Sequence, residues 1–119
     1  MAAISYGMKI ILHGVNMELT PAIKSFAEEK IGALERFFKD NGTDAVEVRV
    51  ELGKPSLHHK SGQVYYAEVN FKMGSKLLRA SAEHYDLYAA IDKVRDEIEV
   101  QVKKFKEKIN ETGRRQSIE

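Results

Sequence analysis

Apolar residues in the last third of the chain recur every three or four positions, which predicts one long amphipathic helix. This stripe consists of Leu87, Ile91, Val94, Ile98, Val102, Phe105 and Ile109. An earlier helix is predicted from Pro21 to about Phe38. Thr20 and Pro21 form its start signal, because a threonine side chain can accept a hydrogen bond from a free backbone N–H and proline lacks that donor. The apolar face of this helix comprises Ile23, Phe26, Ala27, Ile31, Leu34 and one or both of Phe37 and Phe38.

Between and before the helices the apolar period changes to two, which indicates strands. Strands are predicted over residues 8–13, 46–52, 65–73 and 76–82, and Gly74-Ser75 makes the tight connection between the last two. The element order is β-α-β-β-β-α. Two amphipathic helices on one face of a four-stranded mixed sheet satisfy every apolar stripe, so the predicted fold is an α+β two-layer sandwich.

The chain is predicted to form one domain, since 119 residues give a small but sufficient core. Residues 1–7 are interpreted as a leader or extension outside the fold. The domain is expected over residues 8–110, followed by a flexible C-terminal tail over residues 111–119.

Composition narrows the function classes. The chain has no cysteine, which excludes disulfides, thiol catalysis and cysteine-ligated zinc. It has no apolar run near the roughly 18 residues of a membrane span and no signal-peptide pattern, so cytoplasmic localisation without a membrane partner is expected. Phosphate-binding glycine loops, nucleophile elbows and metal motifs are also missing. We therefore expect a protein that is not an enzyme and uses no cofactor, metal or small-molecule substrate.

The charge is nearly balanced, at a net +1, so only its distribution can indicate a nucleic-acid partner. The end of the long helix is basic, while its first half is acidic. This arrangement could equally serve the helix dipole. Helical geometry places two rows of basic residues on the polar side of this helix: Lys93, Lys104 and Lys108 in one row, and Arg95, Lys103 and Lys106 in the other.

Two separated stretches carry a resemblance to a known family. Residues 80–92, ASAEHYDLYAAID, join a strand end to a helix start, and residues 13–38, HGVNMELTPAIKSFAEEKIGALERFF, contain a strand end and a helix. Both resemble the ribosome hibernation promoting factor family, which includes the ribosome-associated inhibitor and the "sigma-54 modulation" proteins. Together with the strands between them, they cover roughly residues 8–110. The resemblance implies a fold similar to a double-stranded RNA-binding domain, as a short form or the N-terminal domain of a long form.

The resemblance implies contacts between exposed basic residues of both helices and ribosomal RNA near the decoding region. The residues expected to make them are Lys24, Lys30, Arg36, Lys93, Lys103, Lys104 and Lys108. Ala33, Glu97 and Val100 stand where the family often has a basic residue. This departure is expected to weaken the contact or to shift it to Arg95, Lys103 and Lys106.

The segment GKPSLHHKSG, residues 53–62, is a second candidate RNA contact, through Lys54, His58, His59 and Lys60. The alternative is a plain hairpin loop. Neighbouring histidines on an extended chain point in opposite directions, so a zinc site is not expected.

Three side chains at the start of the long helix need an interpretation. Tyr85 is expected to be exposed and able to stack on bases, Tyr88 to pack against the core, and Asp86 to cap the helix.

The expected function is that of a ribosome-binding translation inhibitor that occupies the small-subunit decoding region and sterically excludes messenger and transfer RNA. Its partners would be the small ribosomal subunit and its ribosomal RNA. The alternatives are a protein-interaction module that never meets RNA and a generic binder of double-stranded RNA.

Overall fold

A computed structural model describes the backbone of residues 2–5, 8–37, 46–55 and 64–118, and the side chains of residues 8–37, 46–55 and 64–108. The strands are β1 (Ala2–Ser5), β2 (Met8–Val15), β3 (Val46–Gly53), β4 (Tyr65–Met73) and β5 (Lys76–His84). The helices are α1 (Pro21–Gly32), a 3₁₀ helix (Ala33–Phe37) and α2 (Leu87–Ile118).

The strands form one sheet in the order β1-β2-β3-β4-β5. Strands β2 and β3 are parallel and joined through α1, whereas the other neighbouring strands pair antiparallel. The predicted four-stranded mixed sheet is therefore confirmed as β2 to β5. An additional strand, β1, pairs with the edge of β2 and comes from the segment that the sequence analysis set aside as a leader. The domain boundaries themselves stay a prediction.

Both helices cover the same face of the sheet, with α1 against β2 and α2 against β4 and β5. The predicted stripes meet there and form one core. Its largest fully buried side chains include Phe71, Ile31, Leu34, Leu52, Ile91 and Ile98. The α+β two-layer architecture is confirmed, because the periodically spaced apolar residues of the helices and strands lie in this single core.

The start of α1 is as predicted and its end differs. Thr20 Oγ1 accepts a hydrogen bond from the backbone N–H of Ile23 at 3.2 Å. The α-helix stops at Gly32 and the chain continues as a 3₁₀ helix to Phe37, so the helical path has the predicted length but a tighter last part. Phe38 and the predicted stop at residues 40–42 lie outside the described residues.

The contacts at the end of β2 explain why asparagine stands at position 16, in the HGVN stretch, and glycine at position 53, at the end of β3. Asn16 has a φ of 57°, and its Nδ2 donates to the carbonyl of Lys54 at 2.9 Å. The backbone N–H of Lys54 donates to the carbonyl of Val15 at 3.1 Å. Gly53 is paired with Val15 so closely that a Cβ at Gly53 would lie 2.1 Å from the Val15 carbonyl oxygen. These contacts lock the ends of the two parallel strands together.

The junction between β5 and α2 is as short as predicted, although β5 continues to His84 rather than ending at Ala82. Asp86 caps the helix as expected, because its Oδ1 accepts from the backbone N–H of Tyr88 at 3.0 Å. The helix continues through residues 111–118, where the sequence analysis expected a flexible tail.

The outer edge of β5 is bridged from the helix layer. Gln101 of α2 donates from Nε2 to the backbone carbonyl of Arg79 at 2.6 Å.

Candidate nucleic-acid interface

The predicted basic residues lie on the two helices, and the structure divides them into paired and unpaired cations. We call the line where α1 and the 3₁₀ helix meet α2 the helix seam. At one point of the seam Lys30 of α1 approaches Asp92 of α2, with 3.4 Å between Nζ and Oδ1. Further along the seam, the remaining paired cations gather on one carboxylate.

That carboxylate belongs to Glu99. Its Oε1 lies 3.3 Å from Arg36 Nη2 and 2.9 Å from Arg95 Nη2, and its Oε2 lies 3.4 Å from Lys103 Nζ. The side chains of Glu99 and Arg95 are only 18% and 19% exposed, so this part of the network is largely shielded from water. Charge-assisted hydrogen bonds in such a setting are stronger than those at an open surface. Glu99 therefore links the 3₁₀ helix to α2 and partly neutralises three cations.

Aromatic rings lie beneath the seam cations. The guanidinium of Arg36 and the ammonium of Lys103 lie 5.0 and 5.5 Å from the ring centroid of Phe37. Lys30 Nζ lies 5.4 Å from the Phe26 ring, which meets Tyr88 edge to face at 4.8 Å. Cation–π contacts of this length hold a side chain in place while leaving its charge able to act outward.

The predicted cations of α2 outside the seam stand free. Lys93, Lys104 and Lys108 are exposed, and none has a carboxylate within ion-pairing distance among the described side chains. Helical geometry puts Lys93 and Lys104 within about 20 degrees of each other around α2 and Lys108 about 40 degrees further. The row predicted from the sequence is therefore present on one side of α2, with no ion pair to its three lysines among the described side chains.

Lys24 stands apart from both groups. It is half-buried on α1, and the six positions between it and Lys30 correspond to a rotation of about 120 degrees around the helix axis. Lys24 therefore does not lie on the seam side of α1 with Lys30.

Of the four residues predicted for the second RNA contact, the structure describes one, Lys54. Lys54 is half-buried at the end of β3, where its Nζ lies 5.7 Å from the Tyr65 ring centroid. His58, His59 and Lys60 lie outside the described residues, so their proposed contact with RNA stays a prediction.

The expected exposure of Tyr85 is confirmed, since this side chain is 72% exposed. Tyr88 was expected to pack against the core, but it is 39% exposed and lies outside the buried cluster, with its ring against the partly buried Phe26.

A depression of about 450 Å³ opens at the seam, and it is polar. Its lining consists of Glu29, Lys30, Ala33, Asp92, Arg95 and Asp96. A typical small-molecule site is instead lined mainly by apolar and aromatic side chains. Within the described residues, no three or more histidine, aspartate or glutamate side chains are grouped in a way that could hold a metal ion. Among the helices described, none combines the length and the apolar character needed to span a bilayer.

The residue that sequence reasoning missed is Glu99, which it assigned only to the acidic first half of the helix. Its signal was the spacing Arg95, Glu99, Lys103, since residues four apart on a helix can form ion pairs. Arg36 comes from the other helical segment, and no local pattern in the sequence indicates that it reaches the same carboxylate.

Known proteins resemble the chain in both sequence and fold. It is 37% identical over 103 residues to the ribosome hibernation promotion factor of Staphylococcus aureus, an alignment that covers 87% of this chain and 50% of the relative. The chain thus spans about half the length of this curated relative.

Solved structures share the fold. The N-terminal domain of Thermus thermophilus Protein Y superposes with a TM-score of 0.66 at 34% identity, over 79% of this chain and 93% of that one. A ribosomal subunit interface protein from Coxiella burnetii superposes with a TM-score of 0.64 at 22% identity, over 82% of this chain and 96% of that one, which is a likeness of fold.

The family model described as Sigma 54 modulation protein / S30EA ribosomal protein matches residues 10–110. This match includes most of β2, all of β3 to β5 and α1, the helix seam and the exposed lysines of α2, so it covers most of the two-layer fold. The chain belongs to the Sigma 54 modulation protein / S30EA ribosomal protein family.

Proposed function

We propose that the chain is a ribosome-binding hibernation factor that occupies the decoding region of the small subunit and sterically excludes messenger and transfer RNA. Family membership supports a ribosomal partner, as does the relative named as a ribosome hibernation promotion factor. The observation that carries the proposal is the line of unpaired lysines on α2, Lys93, Lys104 and Lys108. Such a partner would place the protein in the cytoplasm.

Steric occupancy is a sufficient mechanism for this function. A folded domain of 60 × 26 × 20 Å needs only to be held in a channel to block it, and no bond has to be made or broken. The exposed lysines can meet phosphates without reading base sequence. Binding should then weaken steeply with salt, by up to about 0.9 in log–log slope for each phosphate contact.

Paired and unpaired cations should contribute differently. A phosphate that approaches Arg36 or Lys103 must compete with Glu99, whereas one that approaches Lys104 meets no carboxylate partner among the described residues. Replacing Lys93, Lys104 and Lys108 by glutamine should therefore weaken ribosome binding more than replacing Lys30, Arg36 and Lys103. The two triple variants remove the same charge, so each serves as the control for the other.

Co-sedimentation with purified small subunits and empty whole ribosomes, at low and moderate salt, tests the proposal. Stoichiometric, salt-sensitive binding that messenger and transfer RNA exclude is the expected result. A folded wild-type protein that does not bind at low salt would refute it. Salt-insensitive capture of a purified protein would favour a protein-interaction module. Displacement from ribosomes by a free RNA duplex would favour generic duplex binding.

A further inference from the structure

The face of the sheet opposite the helices carries its own charge pattern. In β2 to β5 the side chains alternate between the core and this second face, since Met8, Ile10 and Leu12 are buried while Lys9 and His13 are exposed. Neither described helix packs on this face, because both lie on the other side of the sheet. Its side chains are therefore available to a partner.

Strand register sorts the charges of this face into two halves. At one end, Lys9, Glu47, Lys72 and Leu77 are aligned across β2 to β5, and the next row on this face contains Ile11, Arg49, Asn70 and Arg79. We call these two rows the basic half. Toward the other end, the rows contain His13, Glu51, Glu68 and Ser81, and then Val15, Gly53, Tyr66 and Glu83. We call these two rows the acidic half.

The separation of charge is large for a protein that is nearly neutral overall. The basic half has four cations and one carboxylate, whereas the acidic half has three carboxylates and no lysine or arginine. Rows on one face are about 7 Å apart and neighbouring strands about 4.8 Å apart, so the four cations lie within one compact patch. A net charge of +1 for the whole chain hides this local surplus.

The cations of the basic half are only lightly neutralised. Among the described residues, the ion pair in this patch joins Arg49 to Glu47 at 3.5 Å, and the Arg49 side chain remains 71% exposed. Arg79 Nε donates to Asn70 Oδ1 at 2.6 Å, a contact with a neutral amide that orients the guanidinium without cancelling its charge. Lys9 and Lys72 have no ion-pair partner in the part of the chain that the structure describes.

We propose that the basic half of the sheet binds the phosphates of an RNA backbone, as a second RNA contact on the side opposite the helices. The inference rests on the proposed function, and it adds that the domain is held between two RNA surfaces rather than resting on one.

The chemistry of the patch favours RNA over an acidic protein surface. Interface cores between proteins are depleted in charge and enriched in aromatic residues, whereas the aromatic side chain of this face in the described strands, Tyr66, belongs to the acidic half. Two arginines and two lysines on one face of the sheet suit phosphate oxygens, which guanidinium groups bind through paired hydrogen bonds. Contacts with phosphates carry no information about the bases, so the binding should be independent of sequence.

Affinity measurements on small ribosomal subunits test the proposal with a matched pair of double variants. Lys9→Gln with Lys72→Gln should weaken binding roughly tenfold and lower the salt slope by up to about 1.8. Glu68→Gln with Glu83→Gln, on the same face, should leave affinity within about twofold. Equal and opposite changes in the two variants would indicate long-range charge rather than contact, and would overturn the site. Urea unfolding of both variants verifies that they fold.

Site-directed crosslinking then identifies the occupant. Because these 119 residues contain no cysteine, Lys72→Cys and Lys104→Cys each provide a single attachment point for a benzophenone photocrosslinker on the sheet face and on α2. Crosslinks from both positions to different RNA segments are expected. RNA crosslinks from position 104 together with protein crosslinks, or none, from position 72 would overturn the inference and leave the proposed function standing. Failure of the wild-type protein to bind ribosomes would overturn both.

Discussion

Replacing Glu99 by glutamine should affect stability and RNA binding in opposite directions. The Glu99 carboxylate accepts three cations, of which Arg95 is shielded from water and Arg36 and Lys103 are more than half exposed. The amide of glutamine can still accept hydrogen bonds, but it removes the charge that attracts the cations. All three groups then repel each other across the helix seam.

The expected loss of stability in Glu99→Gln follows from the solvent exposure of each of the three ion pairs. Exposed ion pairs contribute about 0.2–1 kcal/mol each, and a charged hydrogen bond in a shielded position contributes about 1.5–3 kcal/mol. With the amide retaining part of the hydrogen bonding, the free energy of unfolding should fall by about 1–2 kcal/mol. A domain of this size should then melt roughly 4–8 °C lower.

RNA binding should become tighter in the same variant, because Arg36 and Lys103 no longer share their charge with Glu99. Urea unfolding measures the first effect, and titration with small ribosomal subunits measures the second. Glu97→Gln, which removes an equal charge from the exposed side of α2, should change stability by less than about 0.5 kcal/mol. Unchanged stability of Glu99→Gln would contradict the network. Weaker RNA binding would mean that Glu99 positions the cations for RNA instead of competing for them.

Three further changes probe the fold itself. Gly53→Ala should lower the free energy of unfolding by several kcal/mol or prevent folding, because the added methyl group meets the Val15 carbonyl. Gly32→Ala is the control in the same thermal melt and should be tolerated, because its Cβ would lie 3.8 Å from its nearest contact. Thr20→Ala should lower the free energy of unfolding, measured by urea denaturation, by about 1 kcal/mol, because it removes the side chain that caps α1. Thr20→Ser keeps a hydroxyl at the cap and should retain most of the wild-type stability. Equal losses in the two variants would exclude the cap as the cause. Burial and the hydrogen bond to Glu51 raise the pKa of Tyr66 to about 12, so stability should decline as the pH rises from about 10 through that value. Glu51→Gln should lower this pKa, as read from phenolate absorbance against Tyr66→Phe, and an unchanged titration would contradict the Tyr66–Glu51 hydrogen bond at 2.7 Å.

The architecture could be predicted because each element carries its own period. The alternate apolar residues of β4 and the apolar stripe of α2 are both buried. These two surfaces can be removed from water together only when the helix packs on that face of the sheet. The change from α-helix to 3₁₀ helix at Gly32 was not predicted, since both conformations place Leu34 in the core. Strand β1 was missed because its four residues contain too little pattern to distinguish a strand from a leader.

The candidate interface was less predictable than the fold. Helical geometry was enough to group Lys93 with Lys104 and Lys108, because they share one element. It could not reveal that Arg36 and Lys103 meet at Glu99, since that contact joins residues 63 positions apart in the sequence. The charge separation on the sheet likewise depends on strand register, which places Lys9 and Lys72 in one row.

The hydrogen bond from Gln101 to Arg79 has a consequence for assembly. An outermost strand presents unpaired backbone groups that can recruit a strand from another molecule, which is a common route to aggregation. Gln101 donates to one backbone carbonyl near the middle of β5, which is an edge strand, and does so from the helix layer. A carbonyl bound in this way is less available to an incoming strand, so the side chain that joins the two layers also restricts pairing at this edge of the sheet.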